Sequence, residues 1–343
     1  MAETWTVQST LGWTTEYFKS KQIESARTDA EILLARVLKI RRLDLYLRFE
    51  QILGEAELGQ FREAVKRRAR NEPVAYIIGE REFYGRVFKV GPGVLIPRPE
   101  TELLVDEALG FLTADIEFKV TPLGEQISAV QTPVSQTDVA SPVEVAETPS
   151  NMVWAKLGPK QTKERKWRYT QPLILDVGAG SGCLGVTLAL EIPTAKVTAI
   201  EKNSAAAALC RTNIKLLNVE DRLTFIENDF DLSENFLSPD FFDIIVTNPP
   251  YIGTSESVSL PNDVKDFEPH EALFGGARGE ELICRWLPLY AKTLKSGGLL
   301  VVEIGEKQGG LLAQIARQTE LFHQVSIMND YSGKPRILKA IKK

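Results

Sequence analysis

The residues best placed to do chemistry are Asn248-Pro249-Pro250-Tyr251, directly after the apolar run Asp243-Ile244-Ile245-Val246-Thr247. Two consecutive prolines fix the backbone, so the Asn248 side chain and the Pro249 carbonyl are aimed in one direction. A pair of acceptors held this way matches the two N–H bonds of a planar –NH2 group, orienting the nitrogen and freeing its lone pair. Tyr251 adds a flat face that can stack on a π system or meet a cationic centre. A lone Asn-Pro-Pro is an ordinary turn. This one follows the fourth strand of an alternating strand–helix pattern, downstream of a glycine loop, and open α/β sheets bind ligands at such strand ends.

The glycine loop is the second stretch. Leu173-Ile174-Leu175-Asp176-Val177 reads as a buried strand, and Gly178, Ala179, Gly180, Ser181 and Gly182 lead from it into a helix. Glycines let backbone approach a ligand closely, and helix N-terminal amides then point at its carboxylate or phosphate. Gly180 to Gly185 also satisfies the dinucleotide spacing G-x-G-x-x-G, so a nicotinamide cofactor stays open at this point. Asp176, just before the loop, suits the ammonium of an amino-acid-like cofactor such as S-adenosylmethionine better than a pyrophosphate. Glu201 ends the next strand, 25 residues on, and can hold both ribose hydroxyls of either cofactor. Asn228-Asp229-Phe230 ends the third strand. There an aromatic ring can stack on adenine and an acid can accept from its edge, although Phe230 could equally be core.

These residues need a frame. After residue 172 the order is strand Leu173–Val177, a helix from about 183, strand Lys196–Glu201, a helix from about 204, then strands Leu223–Glu227 and Phe242–Thr247. That alternation predicts a parallel, doubly wound α/β sheet, with Gly298–Ile304 a further strand and Gln324–Met328 with Arg336–Ile341 a terminal hairpin. Residues 8 to 79 read as helical. Thr28-Asp29-Ala30-Glu31 has the form of a capping box ahead of Ala30, Leu33, Leu34, Val37 and Leu38 at helical spacing. Arg62–Arg70 continues another helix, stopped by Asn71-Glu72-Pro73. Glu82–Val90 alternates around Gly85 as a hairpin, and Glu100–Leu112 is a helix. The expected organisation is a helical domain over 1–80, a hairpin and connecting helix over 81–112, an insert over 113–171 and a catalytic domain over 172–343. Within the insert, about 119 to 153 holds four prolines, no aromatic residue and only acidic charges in its TPLGEQ…AETPS core. Such composition cannot bury enough apolar surface to offset its ordering entropy, which predicts disorder or a long surface loop.

Composition narrows the function classes. The chain has 343 residues and a net charge of −5. Residues 172–343 carry 17 Lys+Arg against 22 Asp+Glu, while the preceding parts balance at 17 to 17 and 7 to 7. A domain gripping nucleic-acid phosphates would carry the opposite sign. Two basic clusters, Arg36, Lys39, Arg41, Arg42, Arg48 and Arg62, Lys66, Arg67, Arg68, Arg70, read as solvated helix faces or as a docking surface for an acidic or ribosome-associated partner. Two histidines and three scattered cysteines argue against His-based triads, metal sites and disulfides, so no metal is expected. No signal peptide or membrane span is visible, which suggests a cytoplasmic protein.

Further blocks carry a family resemblance. Glu72-Pro73-Val74-Ala75-Tyr76-Ile77-Ile78-Gly79-Glu80-Arg81-Glu82-Phe83-Tyr84-Gly85 and Pro92-Gly93-Val94-Leu95-Ile96-Pro97-Arg98-Pro99-Glu100-Thr101-Glu102 resemble the protein-(glutamine-N5) methyltransferases of class I peptide-chain release factors. Phe267-Glu268-Pro269, Ala272-Leu273-Phe274, Gly279 and Ser296–Gly305 follow in that family's order. The resemblance covers the chain except about 113–171, and it implies a Rossmann-like class I S-adenosylmethionine-dependent methyltransferase domain behind a small helical one. It implies S-adenosylmethionine on Gly178, Ala179, Gly180, Ser181, Gly182, Glu201, Phe230 and Asn248. It places the substrate glutamine on Asn248, Pro249, Pro250 and Tyr251, with Asn248, Pro249 and Tyr251 catalytic. Glu201 stands where the family usually has Asp, and Phe230 where Trp is frequent. Arg98 and Glu100 are further candidates for shaping the cofactor pocket. The implied partner is a class I release factor, with no membrane and no DNA contact expected. Asn-Pro-Pro-Tyr alone would also suit an adenine-N6 methyltransferase acting on a flipped base of DNA or RNA, or a non-catalytic scaffold that binds the methyl donor.

Overall fold

The amphipathic N-terminal stretch folds into α1 (Val7–Ser20), α2 (Ala26–Leu38), α3 (Glu55–Arg68) and α4 (Val74–Ile78). The first three pack Leu11, Phe18, Leu33, Leu34 and Phe61 into a core of their own. In this computed structural model, residues 4–113 and 167–343 are described. Helix α1 opens with a capping box in which Thr6 Oγ1 accepts from the Ser9 amide at 3.2 Å and Ser9 Oγ accepts from the Thr6 amide at 2.9 Å.

Thr28 does not cap α2, which already begins at Ala26. Asp29 is instead buried and accepts from Arg68 Nε at 2.7 Å, so the acid ties α2 to α3. Glu31, the acid of the expected box, accepts instead from Arg27 Nε and the Tyr46 hydroxyl, both at 2.6 Å.

β1 (Glu80–Phe83) and β2 (Arg86–Lys89) form the expected hairpin. Tyr84 (φ 51°) and Gly85 (φ 71°) make its turn, two left-handed residues in succession as a tight hairpin needs. A 3₁₀ turn at Pro99–Thr101 leads into α5 (Glu102–Leu112). Thr113 then pairs with Trp167 in an antiparallel bridge, and the Arg168 amide donates to the Leu112 carbonyl at 2.8 Å. The predicted insert therefore falls almost wholly outside the described residues, since only Thr113 and 167–171 of it belong to them.

The rest alternates: β3 (Leu173–Val177), α6 (Cys183–Glu191), β4 (Lys196–Glu201), α7 (Ser204–Leu216), β5 (Leu223–Glu227) and β6 (Phe242–Thr247). Then come β7 (Ile252–Gly253), α8 (Asn262–Phe267), α9 (His270–Leu273), β8 (Phe274–Gly276), α10 (Glu281–Thr293), β9 (Leu294–Glu303), α11 (Gly309–Gln318), β10 (Phe322–Asn329) and β11 (Pro335–Lys342). Seven strands form one sheet in the order β10-β11-β9-β6-β3-β4-β5. Those from β9 to β5 run parallel, and β11 and β10 are added antiparallel.

Strand order reverses at β3, which pairs with β4 on one side and β6 on the other. Val177 lies opposite Thr247, so the loops beginning at Gly178 and Asn248 leave the sheet side by side. That is the crevice where doubly wound sheets bind ligands. Both faces are covered, which is why β6 is buried along its length around an apolar centre of Ile244, Ile245 and Val246. Leu104, Val105, Leu188 and Ile214 pack on one face, and Leu287, Tyr290 and Leu312 on the other. Among the described residues no helix is long and apolar enough to cross a membrane.

Candidate active site

A cavity opens at the carboxyl ends of β3, β4, β5 and β6. Gly178, Ala179, Gly180, Ser181, Glu201, Asn203, Asp229, Phe230, Asn248 and Pro250 line it, with Val94, Pro97, Thr101, Leu282 and Trp286 closing it from other elements. The glycine loop takes the shape its composition allows. Gly178, Gly180 and Gly182 have φ of 70°, 57° and 80°, a region that L side chains seldom adopt. A Cβ on Gly178 would meet nothing within 4 Å, so the backbone there faces open space.

Gly182 does a different job from the other two. It stands off the cavity wall, and a Cβ on it would lie 2.7 Å from Cys210 Sγ; its missing side chain seats the loop against α7. Asn213 ties the same loop from behind. This fully buried side chain donates to the Ser181 carbonyl at 2.8 Å and exchanges hydrogen bonds with the Lys89 backbone at 2.7 and 3.0 Å.

Asp176 also lies behind the loop rather than on the cavity. It is fully buried, with Oδ2 accepting from the Gly185 amide at 2.8 Å and Oδ1 unpartnered. A Cβ on Gly185 would sit 2.9 Å from that Oδ2. Burial pushes the Asp176 carboxyl up to about 7, against the Gly185 hydrogen bond, which pulls it down. The expected direct contact with a cofactor ammonium is thus replaced by a structural one, because the β3 side chain points under the loop.

Glu201 is where its position at the end of β4 predicted. Its carboxylate accepts from the Gly180 amide at 2.9 Å and the Asn203 amide at 2.8 Å, which holds it at the cavity edge. Asp229 caps the following 3₁₀ turn by accepting from the Asp231 amide at 3.0 Å. Phe230 is both core and wall. Its ring stacks on Tyr290 and meets Trp286 edge-on, each at 5.3 Å, while still lining the cavity. Trp286 is positioned by donating from Nε1 to Asp231 Oδ1 at 2.7 Å. No local pattern singled it out, because its α10 site is remote in sequence.

The glycine-rich shape, the ribose-height carboxylate and the aromatic floor fit an adenosine-bearing methyl donor. Gly178 and Gly180 would face its amino-acid end, Glu201 its ribose and Phe230 with Asp229 its adenine.

The opposite wall is built from distant residues. Asn248 Nδ2 donates to Thr101 Oγ1 at 3.1 Å, and Thr101 Oγ1 donates to Glu303 Oε2 at 2.6 Å. The Tyr251 hydroxyl donates to Glu303 Oε1 at 3.1 Å. Burial raises the Glu303 carboxyl, and these two donors and the Arg336 charge oppose that rise. Among the described residues nothing donates to Asn248 Oδ1 or to the Pro249 carbonyl.

Pro249 is buried and Tyr251 half-buried, and neither lines the cavity; the Tyr251 hydroxyl is anchored on Glu303 instead of being presented to a ligand. Gln308 Nε2 donates to the Tyr251 carbonyl at 2.8 Å. A Cβ on Gly275 would lie 2.3 Å from the Pro250 carbonyl oxygen, so only glycine lets that loop support the turn. Arg98 pairs with buried Glu268, which also accepts from the Ile96 amide at 3.1 Å, while Glu100 is exposed. Arg98 thus fastens the Val94–Pro97 segment, and Glu100 stays outside the cavity. Burial pushes the Cys183 thiol up to about 12, leaving it no thiolate character.

A sheet with this strand order, a glycine loop after β3 and an acid after β4 defines a class I S-adenosylmethionine-dependent methyltransferase. The family models agree: residues 9–79 match the PrmC N-terminal domain and residues 163–260 the methyltransferase small domain. The chain is 35% identical to the release factor glutamine methyltransferase of Rhodopirellula baltica over the full length of both proteins. It is 31% identical to that of Nitratidesulfovibrio vulgaris, covering 98% of this chain and 95% of the relative. To that of Koribacter versatilis it is 33% identical over 94% of each. The chain belongs to the release factor glutamine methyltransferase family.

Proposed function

We propose that this protein transfers a methyl group from S-adenosylmethionine to the side-chain amide nitrogen of the glutamine in the Gly-Gly-Gln loop of class I peptide-chain release factors. The observation that carries this is the full-length similarity to proteins so named, joined to a cavity where Asn248 stands beside the glycine loop.

When bound, the cofactor supplies an electrophilic methyl on a sulfonium. An amide nitrogen is a poor nucleophile, because its lone pair is delocalised onto the carbonyl, so the site works by geometry. Asn248 Oδ1, on the cavity wall, accepts one N–H bond of the substrate –NH2. The Pro249 carbonyl, unpartnered among the described residues, is the acceptor proposed for the other, although Pro249 itself stands behind that wall. Together they aim the lone pair at the methyl. Orientation of this kind contributes up to roughly 7–11 kcal/mol. Each hydrogen bond adds about 0.5–1.5 kcal/mol net, so alignment dominates. The substrate proton leaves after transfer, once the nitrogen has become acidic, and no histidine or thiolate base is needed. Gly178, Ala179, Gly180, Ser181, Glu201 and Phe230 hold the donor, with Pro250 beside the substrate. The release factor as partner, and the cytoplasm where it would be met, belong to this same proposal.

The test uses labelled methyl donor with a release factor and with one whose loop glutamine is alanine. Label is expected only on the first, and equal labelling of both would reject the assignment.

A further inference from the structure

Asn248 can recognise an –NH2 group only if its amide oxygen, and not its amide nitrogen, faces the cavity. An asparagine side chain is nearly symmetric in shape, so sterics alone do not choose between the two orientations. The choice lies in the direction of a hydrogen-bond chain running into the interior. Glu303 ends β9 with 1% of its surface exposed, and Thr101, 2% exposed, precedes α5.

Thr101 has a single hydroxyl proton, and the 2.6 Å contact directs it to Glu303 Oε2. With that proton committed, Thr101 Oγ1 can only accept from Asn248, so Asn248 must present Nδ2 to it. A flipped Asn248 would set two lone pairs against each other. Oδ1 is thereby left to the cavity. Tyr251, donating to the other oxygen, keeps Glu303 in place. The polarity of the chain holds with Glu303 ionised or protonated on Oε1, the oxygen away from Thr101; a proton on Oε2 would reverse it.

We propose that Glu303 and Thr101 are positioning residues for methyl transfer, which lock the Asn248 amide with its oxygen toward the substrate nitrogen. This rests on the assignment of Asn248 as the acceptor of the substrate –NH2. Glu303 does not line the cavity, so its effect passes through Thr101. Thr101 also forms part of the cavity wall, so its role is separated from mere wall shape by the identity of its hydroxyl.

The experiment compares the full-length protein with Thr101→Val, Thr101→Ser and Glu303→Gln, using labelled methyl donor and a Gly-Gly-Gln release factor. Thr101→Val keeps the shape and deletes the relay, so kcat should fall roughly 10- to 100-fold, as expected for a misaligned reacting group. The donor's Kd and the KM for the release factor should change much less. Thr101→Ser restores the hydroxyl and should recover most of kcat. Glu303→Gln places an amide N–H where an acceptor stood; Thr101 can then donate to Asn248 and favour the wrong orientation, so kcat should fall again with donor binding kept.

Thermal melting reports whether each variant folds. Should Glu303→Gln not fold, the Val and Ser pair decides. Unchanged kcat in Thr101→Val, or failure of Thr101→Ser to recover it, would overturn the inference, as would a loss of donor affinity equal to the loss of turnover. Absence of methylation by the wild-type protein would instead reject the functional assignment beneath it.

Discussion

The glycine-loop wall of the cavity is assembled from neighbours along the chain, whereas the Asn248 wall joins residues far apart in it. Gly180 and Glu201 are 21 positions apart, Glu201 and Asn203 two, and Asp176 and Gly185 nine. Across the cavity, Asn248 meets Thr101 over 147 positions, Thr101 meets Glu303 over 202, and Tyr251 meets Glu303 over 52. The first wall is a strand–loop–helix unit whose shape follows from glycine torsions and amide–carboxylate bonds. The second exists only once β6, β9 and the segment before α5 are packed together. A binding platform can therefore be local, while a site that must fix the direction of one side chain needs support from several elements. Damage to the first wall should act through cofactor affinity and damage to the second through turnover.

The largest separation is expected at Asn248. Asn248→Ala should lower kcat by roughly 10²–10³-fold, the scale of losing one transition-state-orienting group, with donor affinity largely kept. Single-turnover methyl transfer beside calorimetric titration of the donor would show it, and a parallel fall in both would break the contrast.

Gly275→Ala comes next. Its Cβ would press to 2.3 Å on the Pro250 and Gly279 carbonyl oxygens. The backbone must shift, costing about 1–3 kcal/mol of stability as overpacking does, and kcat should drop more than donor affinity. Melting curves and steady-state kinetics check this together.

Gly180→Ala tests the other wall. A left-handed alanine costs about 1–2 kcal/mol, so donor binding should weaken about tenfold, while kcat at saturating donor stays near wild type. A fall in kcat with unchanged Kd would remove the distinction between the walls.

The smallest effect on turnover is expected at Asp176, which touches no ligand-facing space. Its carboxyl is raised in the folded protein from 3.8 to about 7, so the native state favours the protonated form. The stabilisation tied to that proton is complete below about pH 4 and is lost as pH rises through about 7. Asp176→Asn keeps a neutral acceptor for the Gly185 amide and has no such loss. Measured without methyl donor, the stability of the variant relative to wild type should rise steadily from pH 4 to pH 7. A pH-independent difference would show that the carboxyl does not titrate there.

Much of the cavity could be read from residue types, and the failures share a cause. Gly178, Gly180, Glu201 and Asn248 sit at strand ends that alternation alone locates, and the structure brings them together. Asp176 and Gly182 were assigned outward because a strand-to-loop pattern does not say on which side of the loop a residue falls. Thr28-Asp29-Ala30-Glu31 has the form of a cap, yet Thr28 lies inside α2 and Glu31 accepts from Arg27 and Tyr46 instead. The basic clusters show the same override. Arg36 pairs with Glu80, Arg41 with Asp44, Lys66 with Glu63 and Arg67 with Glu72, so much of that charge is spent within the domain.

From the residues of Asn248-Pro249-Pro250-Tyr251, the sequence by itself determined that a planar –NH2 group can be met at the end of the fourth strand. Prolines and glycines set torsions locally, and strand period sets order, so those features do not wait for packing. Tertiary structure alone decided that Tyr251 turns its hydroxyl inward to Glu303 and that Trp286 closes the cavity beside Phe230. It also decided that Thr101 dictates which end of the Asn248 amide faces the cavity. The polarity of a buried hydrogen bond depends on which partner has a proton left to give, and those partners come from strands and turns that only folding brings within 3 Å or so.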